Sequence, residues 1–181
     1  MRVIVAVTAA SGSIYARQVL DLLIADESVE RIALVCSDNS IGVAQYEGVT
    51  LPQSEKIVEY GAADLYAPIA SGSSGWDAMI IAPCSAGTMS RVACGISDTL
   101  ITRAADVMLK ERRRLVLLLR ETPLSLIHLR NMTTLTEAGA VIMPASPNYY
   151  HHPTNIDDLA MSVSSRAVEM CGAKGNVKEW K

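Results

Sequence analysis

Cations flank an apolar segment near the middle of the chain, and a carboxylate follows it. Arg103 and Lys110 precede the apolar residues 115–119, and Arg120 and Glu121 come directly after them. Charged groups at the ends of a buried strand need a partner, and a bound anion is one candidate. Ion pairing at the surface is the alternative, and this segment taken alone favours that alternative.

Spacing and position separate these charged residues further. Arg103 and Lys110 are seven residues apart, so on a helix they share one face. Asp106 lies between them and could form ion pairs with both at the protein surface. Arg120 fits a surface role less well, because it stands at the end of an apolar strand. Glu121 beside it could act as a general acid or base, or could be a structural partner of Arg120.

Three other segments place a small hydroxyl residue where an apolar run meets a helix. Ser11, Ser37 and Ser85 hold these positions. The backbone N–H groups and the dipole of a helix start favour an anion, although serines there are also common as simple N-caps. Three such turns at one sheet edge favour a binding site. With them, we expect Arg103, Lys110, Arg120 and Glu121 to face one anionic pocket. The chain has no G-x-G-x-x-G or G-x-x-x-x-G-K-[ST] motif.

Apolar runs alternate with segments of helical periodicity along the chain. The pattern predicts strands at residues 3–7, 32–36, 78–82, 115–119 and 140–143, and helices at about 15–25, 40–47, 86–93, 98–112, 124–138 and 156–171. Residues 48–74 predict no regular element, and Pro83 is expected to stop its strand. Continuously apolar strands that alternate with helices indicate an α/β fold whose parallel sheet is covered on both faces.

Length and composition limit the classes of protein. The 181 residues suit a single domain, with a polar tail after residue 172. Half of the residues are hydrophobic, which predicts subunit contacts. Residues 3–7 are interpreted as a first strand rather than as part of a signal peptide, and no run reaches the roughly 20 residues of a membrane span.

Charge and cysteine content exclude further classes. The net charge is −3, so no global positive field recruits nucleic acid or a membrane. The four cysteines show no C-x-x-C spacing, and the three histidines complete no zinc pattern. We therefore expect no metal, and we expect reduced cysteines in a cytoplasmic protein.

Six segments, in their order along the chain, resemble the UbiX flavin prenyltransferase family. The resemblance extends from Val3 to about Gly172. Its carriers are Thr8-Ala9-Ala10-Ser11-Gly12, Ala70-Ser71-Gly72-Ser73, Pro83-Cys84-Ser85, the run 103–111, the run 120–129 with Arg120-Glu121-Thr122-Pro123, and Tyr149-Tyr150-His151-His152-Pro153.

The resemblance implies a fold and a reaction. The family fold is a three-layer α/β/α Rossmann-like (flavodoxin-like) sandwich with a mostly parallel sheet, and its members usually form a dodecamer with the active site between subunits. The implied reaction joins a dimethylallyl group from dimethylallyl monophosphate to N5 and C6 of reduced FMN, without a metal. The implied product, prenylated FMN, serves a UbiD-type decarboxylase.

The resemblance also implies roles for individual residues. Those implied to contact FMN are Ala9, Ala10, Ser11, Ser37, Ser85, Ala86, Gly87, Thr88 and Arg120. Those implied to hold the prenyl phosphate are Ser71, Arg103, Lys110, Tyr150 and Arg166. The implied catalytic groups are Glu121 and Glu47 for proton handling, Lys110 at the leaving phosphate, and Ser11 at flavin N5.

The chain departs from the family pattern at a few positions. Ala9 stands where the family usually has glycine, and its methyl group narrows the approach to the flavin. The C-terminal tail is short, and Trp180 only loosely matches a tryptophan segment that covers the site in other members. Two alternative functions are a flavin-dependent cysteine decarboxylase of the same fold and a non-catalytic FMN carrier. The decarboxylases usually have an active histidine early in the chain, and no histidine precedes His128.

Overall fold

The computed structural model describes residues 1–177 and contains a parallel sheet of six strands. Residues 178–181, with Trp180 and the end of the predicted tail, lie outside the described part. The strands, in the spatial order β3-β2-β1-β4-β5-β6, are β1 (Arg2–Val7), β2 (Arg31–Cys36), β3 (Ile57–Gly61), β4 (Ala78–Cys84), β5 (Arg114–Leu119) and β6 (Val141–Pro144). All pairs are parallel. This is the strand order of Rossmann folds.

Helices cover both faces of the sheet. They are α1 (Ser13–Ala25), α2 (Ser40–Tyr46), α3 (Ala86–Ala93), α4 (Leu100–Lys110), α5 (Leu126–Glu137) and α6 (Ile156–Cys171). Two separate hydrophobic clusters result. One lies between the sheet and α1 and α6, and the other between the sheet and α3, α4 and α5. The predicted three-layer α/β/α sandwich is confirmed.

The structure differs from the predicted elements at two strands. β3 lies within the region predicted to be irregular. It is an edge strand with the sequence Ile-Val-Glu-Tyr-Gly and has no buried residue, so it lacks the continuous apolar run of the central strands. β4 continues past Pro83 to Cys84 instead of stopping. A register shift between Ile81 and Cys84 lets β4 include Pro83, which has no N–H to donate to β5.

The strand order reverses between β1 and β4, and this reversal locates the ligand-binding edge of the fold. Ligands of such sheets bind beyond the carboxyl ends of the strands at this point. We call that side the carboxyl edge and the opposite side, where the strands begin, the amino edge. Within residues 1–177, no helix is long and apolar enough to cross a membrane.

Candidate functional site

A row of hydrogen bonds joins the carboxyl ends of neighbouring strands. The Ser37 amide donates to the Val7 carbonyl at 2.9 Å, and the Arg120 amide donates to the Cys84 carbonyl at 3.0 Å. Between them, the buried Thr8 hydroxyl donates to the Pro83 carbonyl at 2.7 Å and accepts from the Ser85 amide at 2.9 Å. Thr8 thereby fixes the turn after β1 to the turn after β4. The turns that carry Ser37, Ser85 and Arg120 are thus held at one edge.

The start of α1 is capped by a carboxylate from another helix. The Gly12 and Ser13 amides donate to the two carboxylate oxygens of Glu47 at 2.8 and 2.7 Å. Gly12 has a φ of 105°, and a Cβ there would lie 2.9 Å from the Tyr15 ring, so the turn requires glycine. Ser11 is exposed and is not the N-cap of α1.

Glu47 is held in its ionised form. Partial burial alone would raise its pKa, but hydrogen bonds from the Gly12 amide, the Ser11 side chain and the Ser13 amide lower the pKa below its ordinary value of 4.5. A carboxylate of the chain itself therefore neutralises the positive end of α1. The prediction of an external anion at this first turn is wrong for the Gly12 and Ser13 amides.

The start of α3 differs, because only a neutral hydroxyl caps it. The Ser85 side chain accepts from the Thr88 amide at 3.2 Å, so Ser85 is a true N-cap. The first amides of a helix, here those of Ala86 and Gly87, have no acceptor within the helix. A cavity of about 330 Å³, lined by Thr8, Ala9, Ser37, Ser85 and Thr88 among others, opens at this point. The start of α3 therefore suits an anion better than the start of α1 does.

Two buried polar atoms in the turns that follow β2 and β5 have no partner within the described residues. They are the Ser37 hydroxyl oxygen and the Arg120 Nε. A buried donor without a partner destabilises the fold unless a ligand accepts its hydrogen bond. Ala9 and Gly87 are exposed beside them and carry at most a methyl group, which leaves room for a flat ring. A phosphorylated flavin fits this combination of unpaired donors, an open helix start and small side chains.

The remaining predicted residues on this side of the sheet are partly open to solvent. Glu121 is partly exposed directly after Arg120, and its carboxylate accepts from the Thr122 amide at 3.1 Å. Tyr150 is exposed in the loop after β6 and lines a cavity of about 210 Å³. Arg166, on α6, pairs with Glu169 at 3.0 Å and does not line that cavity. Tyr150 therefore lines this cavity without Arg166.

Ser71 and Lys110 lie towards the amino edge, because each precedes the beginning of a strand there. Lys110 ends α4 and forms an ion pair with Glu111, whose carboxylate also lies against Gly72. The Lys110 hydrogen bond lowers the pKa of Glu111. Arg113 donates to the Gly72 carbonyl at 2.8 Å, which ties the Ser71 loop to the end of α4.

Arg103 holds the same loop from the first turn of α4. Its Nε donates to the Ala70 carbonyl and its Nη1 to Asp106, each at 3.0 Å. The Arg103 side chain is about one-third exposed. The ion pair with Asp106 that the spacing suggested is present.

The expectation that the four charged residues around β5 face one pocket is wrong for a single chain. Lys110 precedes β5, whereas Arg120 and Glu121 follow it. The six residues of β5 separate the two ends by about 20 Å at roughly 3.3 Å per residue. The chain therefore presents two half-sites, one of flavin-binding type and one of exposed cations.

Sequence reasoning missed the residues that bind the Ser71 loop. Glu111 and Arg113 stand in a run of charged residues, a pattern typical of a solvent-exposed surface. Their contacts with Gly72 span about 40 residues of sequence, and no local pattern signals such a contact. The described residues contain no group of histidine, cysteine and carboxylate side chains able to hold a metal ion.

Comparison with known proteins agrees with this geometry. A family model described as Flavoprotein matches residues 1–170. The flavin prenyltransferase UbiX of Thermoplasma acidophilum is 44% identical, covering 99% of this chain and all of the relative. That of Pseudomonas aeruginosa is 42% identical, covering 94% of this chain and 89% of the relative.

Solved structures give the same result. AnUbiX (PadA1), crystallised with FMN and dimethylallyl pyrophosphate, is 39% identical with a TM-score of 0.91, covering 99% of this chain and 97% of that one. A dodecameric FMN-dependent UbiX-like decarboxylase from Escherichia coli O157:H7 is 36% identical with a TM-score of 0.92, covering both chains fully. A PPC decarboxylase is only 20% identical with a TM-score of 0.65, which shows a shared fold alone. The chain therefore belongs to the flavoprotein family and, within it, to the UbiX flavin prenyltransferases.

Proposed function

We propose that this protein is a flavin prenyltransferase that joins a dimethylallyl group to N5 and C6 of reduced FMN. The observation that carries the proposal is a set of open hydrogen-bonding groups at the carboxyl edge. They are the amides at the open start of α3, the unpaired Ser37 hydroxyl and the unpaired Arg120 Nε. Relatives at 36–44% identity that are named flavin prenyltransferases support the same activity.

The carboxyl edge would bind FMN through backbone and short polar side chains. The amides of Ala86, Gly87 and Thr88 and the Ser85 and Ser37 hydroxyls suit its phosphate, and the Arg120 guanidinium suits its ring. Ala9, Ala10 and Ser11 would border the ring edge. When bound, the reduced flavin supplies the nucleophile and a π-face that stabilises cationic character on the allylic group.

The prenyl phosphate requires cations, because its oxygens gain negative charge as the C–O bond breaks. Lys110, Arg103 and Ser71 supply donors of the right kind, with Tyr150 and Arg166 completing the set. Lys110 lies about 20 Å from Arg120 within one chain, so we propose that Lys110 of one subunit serves the flavin site of another. The dodecameric E. coli relative supports an assembly of this type.

Proton handling would fall to the two carboxylates at the carboxyl edge. Glu121 is partly exposed beside Arg120 and is free to accept the proton lost from the flavin during formation of the second bond. Glu47 is ionised and hydrogen-bonded to the Ser11 side chain. It would therefore fix the orientation of the Ser11 hydroxyl at flavin N5.

The donor, the recipient and the location complete the proposal. We propose dimethylallyl monophosphate as donor and a UbiD-type decarboxylase as recipient of prenylated FMN. AnUbiX was crystallised with the pyrophosphate, so the test must include both esters. All four cysteines are free thiols, which supports a reducing, cytoplasmic location.

The direct test is anaerobic incubation with reduced FMN and either dimethylallyl monophosphate or pyrophosphate. We expect a flavin heavier by one prenyl unit in the mass spectrum, and more product with the monophosphate. A protein that binds FMN but never changes its mass would contradict prenyl transfer and leave the carrier function.

The intersubunit arrangement has a separate test. Lys110→Ala and Glu121→Gln variants should each have strongly reduced activity alone. After the two are dissociated and reassembled together, some sites combine an intact Lys110 with an intact Glu121 from different subunits. Recovered activity is therefore expected, and no recovery in verified mixed oligomers would contradict a shared site.

A further inference from the structure

The residue that follows β4 is held differently from the residues that follow three other strands. The amides of Ser37, Arg120 and Ala145, directly after β2, β5 and β6, each donate to a backbone carbonyl of the neighbouring strand, at 2.9, 3.0 and 2.8 Å. The Ser85 amide, directly after β4, donates to the Thr8 hydroxyl at 2.9 Å. At this strand end a side chain therefore takes the place of a backbone carbonyl.

The end of β4 needs this side chain because its pairing is irregular. β1 and β4 pair in register up to Ala6 and Ile81, and the pairing of β4 with β5 then shifts between Ile81 and Cys84. Pro83 lies in the shifted stretch and has no N–H to donate. Its carbonyl accepts from the Thr8 hydroxyl at 2.7 Å and from the Thr8 amide at 3.3 Å. Thr8 therefore joins the irregular end of β4 to the end of β1.

Threonine suits this position through both its oxygen and its shape. A hydroxyl has one proton to donate and two lone pairs to accept with, so Thr8 can serve Pro83 and Ser85 together. A β-branched side chain has a restricted χ1 angle, which keeps the oxygen between its two partners. Thr8 is buried, so solvent has little access to these hydrogen bonds.

The orientation of Ser85 decides which amides the start of α3 offers to a ligand. The Ser85 hydroxyl accepts from the Thr88 amide at 3.2 Å, and the Ser85 carbonyl accepts from the Met89 amide at 3.0 Å. The amides of Ala86 and Gly87 lie between these two and have no acceptor within the helix. Any rotation of Ser85 would turn these open amides with it.

We propose that Thr8 is a positioning residue for the phosphate of the flavin. The proposal rests on the proposed function, which places that phosphate at the start of α3. The proton of the Thr8 hydroxyl goes to Pro83, so Thr8 acts on the phosphate through Ser85. The carbonyl of the preceding residue, Val7, holds the Ser37 amide. The end of β1 thereby sets the spacing between the unpaired Ser37 hydroxyl and the open amides of α3.

The test compares FMN with riboflavin, which has the same ring and ribityl chain but no phosphate. Calorimetry on the assembled protein gives both dissociation constants, with the oligomer size recorded in parallel. Thr8→Val keeps the branched shape but leaves the Ser85 amide without its acceptor. We expect FMN to bind about 20-fold more weakly, while riboflavin changes less than about twofold.

Thr8→Ser is the conservative variant. It keeps the hydroxyl and both hydrogen bonds but loses the methyl group that restricts χ1. The preference for FMN over riboflavin should therefore fall by only about two- to threefold, so that serine restores most of what valine removes.

Ser164→Ala is the matched control for loss of a buried hydroxyl. Ser164 lies on α6, against the opposite face of the sheet from α3, and donates to the Gln18 side chain at 2.9 Å. The control should lower the urea midpoint of unfolding, as Thr8→Val does, and leave the preference for FMN unchanged. A purely structural role of Thr8 would give this same pattern.

Three results would overturn the proposal. Equal weakening of FMN and riboflavin by Thr8→Val would show that Thr8 only supports the fold. Equal losses of preference in Thr8→Val and Thr8→Ser would show that the hydroxyl is not the group responsible. An unchanged preference in Thr8→Ser would count against the restricted rotamer, and it decides the matter if Thr8→Val does not fold.

Failure of the proposed function gives different results. A wild-type protein that binds no FMN would overturn the proposed function and this proposal together. A wild-type protein that binds FMN but does not prenylate it would overturn the reaction alone, because the comparison with riboflavin needs no prenyl donor.

Discussion

The two edges of the sheet carry different chemistry. At the carboxyl edge, short hydroxyl side chains form hydrogen bonds with the backbone. The buried Thr8 hydroxyl, for example, joins the turns after β1 and β4. At the amino edge, arginines reach across to loop carbonyls, with Arg2 bound to Ser74 and Arg113 to Gly72. A surface built from backbone is rigid and suits a flat cofactor. A surface of long cations suits a phosphate that arrives with another molecule.

The contrast indicates why neither edge completes the reaction alone. The carboxyl edge offers open amides but places its own carboxylate, Glu47, against α1. The amino edge has partly exposed cations, among them Lys110, which is paired with Glu111. In the proposed mechanism, assembly of several chains brings a cation of one edge to the flavin of the other. Substitutions at either edge test this division of roles.

Glu121→Gln should have the largest effect. Loss of a general base lowers turnover by about 10² to 10⁴-fold, whereas FMN binding, which uses other groups of the carboxyl edge, should stay the same. Single-turnover prenylation and FMN titration measure the two effects. Glu137→Gln, at the end of α5, is the control. Unchanged turnover in Glu121→Gln would remove Glu121 from the mechanism.

Lys110→Ala should affect the donor and leave FMN alone. Removal of one charge-assisted donor to the leaving phosphate should lower kcat/KM for the donor by about 100-fold. Steady-state kinetics at saturating FMN measure this effect, with Arg31→Ala at the exposed start of β2 as control. A loss of FMN affinity equal to the loss of kcat/KM would place Lys110 at the flavin and contradict the division between edges.

Glu47→Gln should lower the stability of the fold at the carboxyl edge. A lost charged cap costs about 1 kcal/mol of unfolding free energy, which denaturant titration at neutral pH measures. Because the pKa of Glu47 is lowered in the fold, its stabilisation is complete above the ordinary value of 4.5. It is lost as the pH falls through the lower folded value. The variant should therefore lose less unfolding free energy than wild type as the pH falls below that value. Parallel curves of unfolding free energy against pH for the two proteins would contradict the role of Glu47 as a cap.

Gly72→Ala should have the smallest effect, confined to the amino edge. A methyl group at Gly72 would collide with the Glu111 carboxylate, which displaces the partner of Lys110. We expect KM for the donor to rise roughly threefold, the size of a weak exposed ion pair. Gly42→Ala, with no atom near the new methyl, is the control. A larger effect on FMN than on the donor would contradict this assignment.

Sequence patterns predicted the central elements well because those elements are continuously apolar or strongly periodic. The predicted α3 and α6 match the structure residue for residue. β3 was missed, because a half-exposed edge strand contains Glu59 and Gly61 where a buried strand has aliphatic residues. β4 was predicted too short, because the register shift that lets it include Pro83 depends on the pairing with β5.

The fold class, the serine turns and the family can be recognised from the sequence alone. Apolar runs, helical periodicity and motif order are local properties, so they can be read along one chain. The tertiary structure was needed to show that Glu47 caps α1 and that Lys110 and Arg120 lie at opposite ends of β5. Such relations depend on which strands are neighbours and on the direction of each strand. Packing fixes both, and spacing along the sequence does not.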